Sequence, residues 1–528
     1  MIQAQTQTAA YWGQDFSVTE ADVEHIYNHF LEVEQPQTLE QIIQIIMSHR
    51  VSEETNQIER RLAGKAIYQP RDSYAVGDEL VFPVLKFAHG TVEEVREGHN
   101  PQLGTFNVIR VAMNGKQREF AADLAIDHEL NLNEDSELVS DVKNVDLDDL
   151  TGQYGHLISE KVSAALNGQD EFIRLGKEWF VHSLMSEVNI GHMHLAEAVL
   201  EMSEGGPLPP EEILVHLDMD PSIHQSVHRF SLNYGLLKDG RFDEIAPRGQ
   251  VLWFLNRLEP DGVKETPERL RYESIAYDRA LLSPQLLMLE RELDDEWSDL
   301  QPASHLQSAL LSLTYPHRLS GTLPLNSSTR PLFPPSQSPR QRIVFINEET
   351  QDEIVGWVVQ EQRYIYGFQS WFEETGIPIG GFIHLKPGPE PGVVILGYDK
   401  RRARREWVRL ATAQNNRIQF ELNRRAVAAG YDDLLIVGTD VVAAIDTLWK
   451  RVNSNHRNVA SLLAELFPDL SALNPQNTVH AKTLYSALNM LKRVPPGPIF
   501  AELVRNPAFQ PVGDHYWRFD RSKWQANN

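Results

Sequence analysis

The sequence predicts a multidomain α+β protein in which helical modules that end in a β-ribbon alternate with small β-barrel-like domains. Its 528 residues, 41% of them hydrophobic, are enough to bury several separate cores. Apolar residues recur at helical 3,4 spacing in some stretches and alternate with polar residues, as in strands, in others. The predicted segments are 1–73 (helical), 74–130 (small β-barrel), 131–170 (acidic linker), 171–262 (central helix and ribbon module), 263–312 (helical), 313–341 (Pro-rich linker), 342–440 (β-rich) and 441–528 (C-terminal helix and ribbon module).

The central module shows three predicted helices followed by a ribbon. The first helix ends at the Gly205-Gly206-Pro207 turn, because glycine accepts left-handed backbone and proline cannot continue a helix. After a short second helix, the third has one apolar face. The stretches RFDEI and QVLWFL, which flank a Pro-Arg-Gly turn, then read as two short strands. The apolar positions of the third helix are Ile223, Val227, Phe230, Tyr234 and Leu237.

This module resembles the HARE-type winged helix, which also occurs in the delta subunit of bacterial RNA polymerase. The clearest match covers residues 192–258, where Gly206-Pro207-Leu208 precedes the second helix, Phe242 enters the ribbon and Trp253 closes it. Ala246 departs from the glycine that the family usually has there. The resemblance implies that the helix and ribbon modules are winged helices, which would alternate with the small β-barrel-like domains, and that the protein associates with nucleic acid or with the transcription machinery. The candidate recognition-helix face consists of Gln225, His228, Arg229 and Asn233.

Two further stretches repeat this order more loosely. In residues 478–524, two predicted helices separated by PPGP lead into a ribbon, where Phe509 and Trp517 stand roughly as Phe242 and Trp253 do in the central module. In residues 1–73, three predicted helices precede an extended segment, which gives a winged-helix-like order. Repetition at irregular spacing is typical of duplicated modules and not of a solenoid.

Short strands dominate two other regions. Between residues 74 and 130, the stretches YAVGDELVFP, GTVEEVR and FNVIRVAM, followed by an Asn114-Gly115 hairpin signal, predict an SH3-like barrel. Residues 342–440 predict a second β-rich domain in the same way. The acidic, aliphatic-poor sequence that follows the barrel, and the six prolines within 313–341, predict linkers.

Composition excludes several kinds of chemistry. The chain has no cysteine, which rules out disulfides, thiolate catalysis and Cys-ligated metal centres and fits a reducing compartment. No apolar run has the length of a bilayer and the first residues lack the pattern of a signal peptide, so we expect a cytoplasmic protein without membrane contact. The sequence has no phosphate-binding loop, dinucleotide fingerprint, nucleophile elbow or zinc helix. We therefore predict that the protein is not an enzyme and uses no cofactor or metal.

The net charge of −25 is unevenly distributed along the chain. Residues 1–339 hold 26 Lys+Arg and 54 Asp+Glu, whereas residues 340–528 hold 23 and 20. The acidic first part should repel nucleic acid and favour RNA polymerase or another basic protein as a partner. The last third lacks this bias, so we expect DNA or RNA to bind there if it binds at all.

A run of cations around one aromatic residue marks the last third as the candidate nucleic-acid surface. Cations contact phosphates, and an exposed aromatic ring stacks on bases. An equally weighted alternative is a basic loop that packs against the acidic part of the chain. Further candidates come from Ser471–Ala501, which contain no acidic residue. The predicted set is Lys400, Arg401, Arg402, Arg404, Arg405, Trp407, Arg409, Lys482, Lys492 and Arg493.

Two other functions stay open. One is an acidic protein–protein adaptor whose winged helices bind no nucleic acid. The other is an unrecognised defence or repair nuclease, because Asp469 followed by His480 and Lys482 partly matches a magnesium-dependent pattern. His480 stands where that pattern needs a second carboxylate. A contiguous positive surface would favour nucleic-acid binding, whereas apolar grooves rimmed by acidic residues would favour the adaptor.

Overall fold

The computed structural model of the protein describes residues 4–525 except 63–65, 86–87, 101–103, 114, 127, 129, 132–145, 248, 303–307, 334–337, 391 and 437. The chain divides into two units. The first holds Met1–Asn189 and Asp218–Gly235, and the second holds Ile190–Leu217 and Leu236–Asn528. Helices and sheets occur in both units, so the predicted mixed α+β multidomain class is confirmed. The alternation of winged-helix modules with β-barrels stays a prediction.

Several helices begin where a side chain satisfies the first free N–H groups. Thr19, for example, accepts from the Asp22 N–H, while the Asp22 carboxylate accepts from the Thr19 N–H. The α-helices of the described residues are α1 Glu20–Val33, α2 Leu39–Leu62, α3 Leu147–Asn167, α4 Ile190–Met202, α5 Pro210–Leu214, α6 Gln225–Lys238, α7 Asp261–Lys264, α8 Pro284–Leu293, α9 Tyr315–Ser320, α10 Gln369–Thr375, α11 Val442–Ser454, α12 Val459–Ala472, α13 Ala481–Asn489 and α14 Pro496–Arg505.

Strands form where apolar residues alternate with polar ones. In Asn107–Met113 the side chains of Ile109, Val111 and Met113 are buried and those between them are more exposed. The strands of the described residues are β1 Gln37–Thr38, β2 Ala66–Ile67, β3 Glu79–Phe82, β4 Ala88–Glu97, β5 Asn107–Met113, β6 Lys116–Ala122, β7 Phe172–Leu175, β8 Glu178–Val181, β9 Phe242–Glu244, β10 Trp253–Leu255, β11 Ala309–Ser312, β12 Thr322–Pro324, β13 Arg340–Asn347, β14 Glu353–Val359, β15 Tyr364–Tyr366, β16 Phe382–Pro387, β17 Val393–Tyr398, β18 Lys400–Gln414, β19 Arg417–Ala429, β20 Gly438–Thr439, β21 Val479–His480, β22 Phe509–Gly513 and β23 Tyr516–Phe519.

The first unit contains a helical core built by α1, α2 and α3 around Phe30, Met47 and Ile158. The small sheet β1-β8-β7 adds aromatic side chains to this core. Helix α6 contributes Val227 and Phe230, and the Phe230 ring lies 5.6 Å from the Phe180 ring. Val227 and Phe230 of the apolar face predicted for the third helix of the central module are therefore buried in the first unit, whereas Leu237 of that face is 60% exposed, which contradicts its predicted burial.

The acidic linker predicted at residues 131–170 is wrong for residues 147–167, which form α3. Asp146 caps this helix by accepting two backbone N–H groups of its first turn. Ile158, Val162 and Leu166 recur at helical spacing and are buried. The acidic residues gather at the N-terminus of α3, where the helix dipole stabilises them, so they mark a helix start. Residues 132–145 of the predicted linker lie outside the described residues.

The predicted barrel region forms a five-stranded sheet in the order β2-β3-β4-β5-β6. Strands β3 to β6 are antiparallel neighbours, and β2 is parallel to β3. Tyr68, Leu80 and Phe82 lie in its core with the inward residues of β5. The predicted strands are thus present, whereas closure into an SH3-like barrel stays a prediction. Asn114 of the hairpin signal lies outside the described residues.

The second unit contains a seven-stranded sheet in the order β11-β16-β17-β13-β14-β15-β12. Strand β13 is antiparallel to β14 and parallel to β17. Both edge strands precede the predicted β-rich domain in the sequence. Strand β11 comes from the predicted helical segment 263–312, which is helical only in part, and β12 comes from the predicted linker.

The exposed Pro-rich linker predicted at residues 313–341 is wrong for residues 313–333. Leu313, Leu323 and Leu325 are buried in the core of the seven-stranded sheet. Pro316 lies in the first turn of α9 and Pro324 lies at the end of edge strand β12, where a missing N–H group is tolerated. The prolines therefore mark the ends of packed elements. Pro334 and Pro335 lie outside the described residues.

The ribbon predicted for the central module is present as β9 and β10, which are antiparallel, with Trp253 opposite Glu244. Trp253 and Phe242 are buried, and Trp253 also bridges to Leu208. Helices α4 and α5 lie with this ribbon in the second unit, whereas α6 belongs to the first unit as far as Gly235. The HARE-type resemblance of these elements stays a prediction.

The C-terminal region follows the predicted order of helix, helix and ribbon through α13, α14, β22 and β23. The ribbon pairs Phe509 with Phe519, and β21 joins it to make a three-stranded sheet. Helices α11 to α14 pack around a core that includes Leu462, Leu484 and Ile499. The same core receives one end of the hairpin formed by β18 and β19.

Candidate nucleic-acid interface

Strands β18 and β19 form a long antiparallel hairpin around Asn415 and Asn416. Both asparagines have positive φ, 48° and 62°, which suits a two-residue hairpin turn and which asparagine tolerates better than most residues. The register pairs Gln414 with Arg417 and, farther from the turn, Trp407 with Arg424. The turn therefore determines which side chains share a face of the hairpin.

One face of the hairpin combines an exposed indole with arginines. Trp407 and Arg424 lie directly opposite each other, and Arg405 and Arg409 lie two residues to either side of Trp407 on the same strand. Residues two apart on a strand, and directly paired residues on neighbouring strands, point to the same side of a sheet. We call this surface, made of Arg405, Trp407, Arg409 and Arg424, the Trp407 face. Its central indole is 67% exposed.

The carboxylates of the hairpin lie on the opposite face. Glu406 is paired with Arg425, and Glu421 is paired with Leu410, so both alternate with the residues of the Trp407 face. No other Asp or Glu occurs in β18 or β19. The Trp407 face therefore presents three guanidinium groups and none of the hairpin's negative charges.

An irregular end of the hairpin presents more arginines. Strand β18 carries extra residues between the Lys400–Ala429 and Arg404–Val427 pairs, which is a β-bulge. The Tyr431 hydroxyl donates a hydrogen bond to the Glu406 carboxylate at this end. Burial, together with this neighbouring negative charge, raises the pKa of Tyr431 to about 12. A groove of about 410 Å³ at this end is lined by Arg401, Arg402, Arg404, Glu406, Val427, Ala429, Tyr431 and Asp433.

Ion pairs occupy only some of the hairpin cations. Within the described part of the chain, the exposed guanidinium groups of Arg402, Arg404, Arg405 and Arg424 have no carboxylate at ion-pair distance. An exposed guanidinium without an internal anion can make charge-assisted hydrogen bonds to an external one. Arg409 is half-buried and donates to a backbone carbonyl, that of Asp433. The ion pairs present are Lys400–Glu349, Arg401–Asp399 and Arg425–Asp440.

Two candidates for phosphate contact, one in α13 and one after it, are buried, which contradicts their predicted role. Lys482 and Arg493 are 6% and 5% exposed. The Lys482 ammonium donates to Glu292 at 2.5 Å and to Asp432 at 2.7 Å. The two carboxylates accept two of the three ammonium donors of Lys482, and the side chain itself is buried, so Lys482 does not present its charge at the surface.

Arg493 is held in the same way by residues far away in the sequence. Its Nη2 atom lies 2.8 Å from Asp295 and 2.7 Å from Glu296. Burial alone would raise the pKa of the Glu296 carboxyl, but the charges of Arg493 and His317 lower it below its ordinary value. Lys492 is half-buried and donates to the Arg457 carbonyl at 2.9 Å, and burial lowers its pKa. The lack of acidic residues in 471–501 therefore does not leave these cations free.

The predicted recognition-helix face is also wrong as an exposed surface. His228 is buried, with Nδ1 at 2.9 Å from the Ser186 hydroxyl and Nε2 at 2.9 Å from the Asp220 carbonyl oxygen. Arg229 forms an ion pair with Glu178 at 2.6 Å. Gln225 is exposed, whereas Asn233 is half-buried. Most of this face therefore makes contacts within the first unit.

Arg424 is a member of the site that is not among the predicted contacts. The signal that identifies it is the Asn415-Asn416 pair, because counting outward from a two-residue turn pairs Trp407 with Arg424. A run of cations in the sequence shows only one strand of a hairpin. The second strand completes the surface.

Comparison with protein-family models, with curated proteins and with solved structures finds no match to this chain. Among the helices of the described residues, none has both the length and the apolar character needed to cross a bilayer. Within the same residues, no group of three or more His, Asp or Glu side chains is placed to hold a metal ion. What the hairpin can bind follows from its own geometry and charge.

Proposed function

We propose that the protein binds nucleic acid through the hairpin formed by β18 and β19. The observation that supports the proposal is the group of four exposed arginines, Arg402, Arg404, Arg405 and Arg424, with no carboxylate partner in the described part of the chain. A phosphate backbone that neutralises such a group releases condensed counterions, which favours binding.

The arrangement suits a polymer of phosphates better than a small anion. Arg405 and Arg409 lie at the two ends of a run on the Trp407 face that is roughly 13 Å long at the rise of a β-strand. One small anion would meet only part of this run, whereas a nucleic-acid backbone would meet all of it. The alternative of a basic loop packed against acidic residues does not account for the exposure of Arg404, Arg405 and Arg424.

The wider setting of the proposal is transcription. The HARE-type resemblance supports this setting, and the excess of acidic residues before residue 340 suits a basic protein partner such as RNA polymerase. The net charge of −25 opposes contact with nucleic acid over most of the chain. Binding should therefore be local to the hairpin and strongly dependent on salt.

A salt titration of the full-length chain tests the proposal. Fluorescence anisotropy would measure the affinity for labelled 20-nucleotide single strands and duplexes, with the variant Arg405→Ala/Arg424→Ala beside the native protein. If each arginine contacts one phosphate, the variant should reduce the slope of log affinity against log salt by about 1.4 for single strands or about 1.8 for duplex.

A matched control removes two other exposed arginines of the second unit. Arg271→Ala/Arg291→Ala changes the net charge equally but leaves the hairpin intact. The proposal predicts a slope for this control that equals the native one. The proposal would be contradicted if neither the single strand nor the duplex bound at low salt. It would also be contradicted if the two variants reduced the salt slope equally.

A further inference from the structure

Trp407 has an environment unlike that of the other tryptophans in the protein. The chain has ten tryptophans, all within the described residues, and Trp407 alone is exposed. The Trp407 indole is 67% exposed, whereas Trp357 on another strand of the same unit is buried in a core. An indole in solvent forgoes the favourable burial of a large apolar surface. The exposed position of the Trp407 indole is explained if a ligand covers this side chain.

The immediate neighbours of Trp407 indicate the chemistry of that ligand. Arg424 faces it across the strands, and Arg405 and Arg409 lie on either side of it along β18. An aromatic ring within a group of guanidinium groups is suited to a flat base attached to a phosphate backbone. A protein partner would also cover the indole, but three arginines without a hairpin carboxylate favour a repeated anion.

The hairpin is fixed at both ends, which limits how nucleic acid can approach it. Toward the turn, Ala411, Ile418 and Phe420 are buried in the C-terminal core. At the other end, Phe382 of β16 donates its N–H to the Gly430 carbonyl at 3.0 Å, and its own carbonyl accepts from the Asp399 N–H at 3.1 Å. A two-stranded ribbon that reads duplex DNA enters the major groove, and this requires a ribbon that projects. A ribbon anchored at its turn instead offers one face along the surface.

We infer that the Trp407 face binds single-stranded nucleic acid, with an unpaired base stacked on the Trp407 indole and the arginines on the flanking phosphates. This inference rests on the proposed function. Bases of a duplex are already stacked and paired, so an indole lying beside the backbone gains no stacking from them. An unpaired base has a free ring face, and stacking on aromatic side chains is tolerant of sequence. Selectivity for single strands follows from this difference.

The experiment compares one sequence in three forms with the full-length protein. Anisotropy titrations would use a 20-nucleotide single-stranded DNA, its RNA equivalent, and the DNA annealed to its complement. We expect both single strands to bind more tightly than the duplex, with the DNA and RNA arms showing whether the sugar matters. Trp407→Ala should weaken single-strand binding by about tenfold, and Trp407→Phe should retain most of it. Neither substitution should change duplex binding.

The salt dependence separates stacking from charge. Trp407→Ala should lower affinity without changing the salt slope, because stacking releases no counterions, whereas Arg405→Ala/Arg424→Ala should reduce the slope. Far-UV circular dichroism of each variant would verify folding, which we expect to be native because the replaced side chains are exposed. Equal binding of duplex and single strand, with no effect of Trp407→Ala, would overturn the inference and leave the proposed function intact. Failure of all three nucleic acids to bind would overturn both.

Discussion

The Arg493 guanidinium lies 2.7 Å from the Glu296 carboxylate, and both side chains are buried. The same guanidinium contacts Asp295 at 2.8 Å, and the Tyr485 hydroxyl donates to Asp295 at 2.6 Å. This network ties the segment after α8 to the end of the α13 region. Burying these ion pairs costs the solvation of their charges, so their net contribution to stability is small while all partners are present. Removal of one partner, however, leaves a buried charge unpaired.

Arg493→Met should therefore destabilise the second unit by about 3 to 5 kcal/mol, because Asp295 and Glu296 would stay buried without their cation. The shift of the urea unfolding transition measures this loss. Arg291→Met, at an exposed position in α8, is the control and should change stability by less than about 0.5 kcal/mol. Equal transitions in the two variants would show that the network is not formed.

A second buried carboxylate predicts a pH dependence. Arg340 lies 2.7 Å from Glu259 and 3.3 Å from Asp243. Burial raises the pKa of Glu259 from 4.5 to about 7, since the attraction of Arg340 only partly offsets burial and the Asp243 charge adds to it. When the pKa of a carboxyl is higher in the folded than in the unfolded protein, its protonation stabilises the folded state. This stabilisation is complete at a pH below the unfolded-state pKa and is lost as the pH rises through the folded-state pKa.

Glu259→Gln should therefore reduce the loss of stability between pH 4.5 and pH 7. Thermal unfolding at intervals across this range, followed by circular dichroism, measures the difference between variant and native protein. Glu374→Gln, at an exposed position, serves as the control and should follow the native curve. Native and Glu259→Gln curves that run parallel throughout the range would refute the assignment.

The packed state of residues 313–333 predicts the effect of a leucine substitution. Leu323 lies in edge strand β12 and is completely buried, so Leu323→Ala should cost about 2 to 5 kcal/mol. The control is Leu310→Ala in the opposite edge strand of the same sheet, where Leu310 is 63% exposed. A denaturation experiment that finds Leu323→Ala as harmless as Leu310→Ala would restore the linker interpretation.

Local patterns in the sequence predict a good part of this fold. Apolar alternation predicts β5, and the RFDEI and QVLWFL stretches predict the ribbon of β9 and β10. The cation run at Arg401–Arg409 identifies one strand of the candidate site, although the Asn415-Asn416 turn is needed to add Arg424. These features depend on neighbours in the chain, which a sequence displays directly.

Several of the incorrect predictions concern contacts between residues far apart in the sequence. Arg493 pairs with Asp295, 198 residues away, so nothing near Arg493 in the sequence shows that its charge is buried and satisfied. His228 likewise forms a buried hydrogen bond with Ser186, which is 42 residues away in the sequence. Local composition also misleads in α3, where acidic residues at a helix N-terminus read as a linker although the following residues are apolar at helical spacing. Tertiary packing decided the cases of Arg493 and His228, whereas the local Asp146 cap decided that of α3.

Photo-crosslinking can locate the contact between the protein and nucleic acid. The full-length protein would be bound to a single strand containing photoreactive 5-bromouracil and irradiated, and the crosslinked peptides would be identified by mass spectrometry. Binding through the hairpin should give crosslinks within Lys400–Ala429, with Trp407 as the main site, and these should be lost in Trp407→Ala. Crosslinks confined to residues outside this hairpin, such as helix α6, would contradict it.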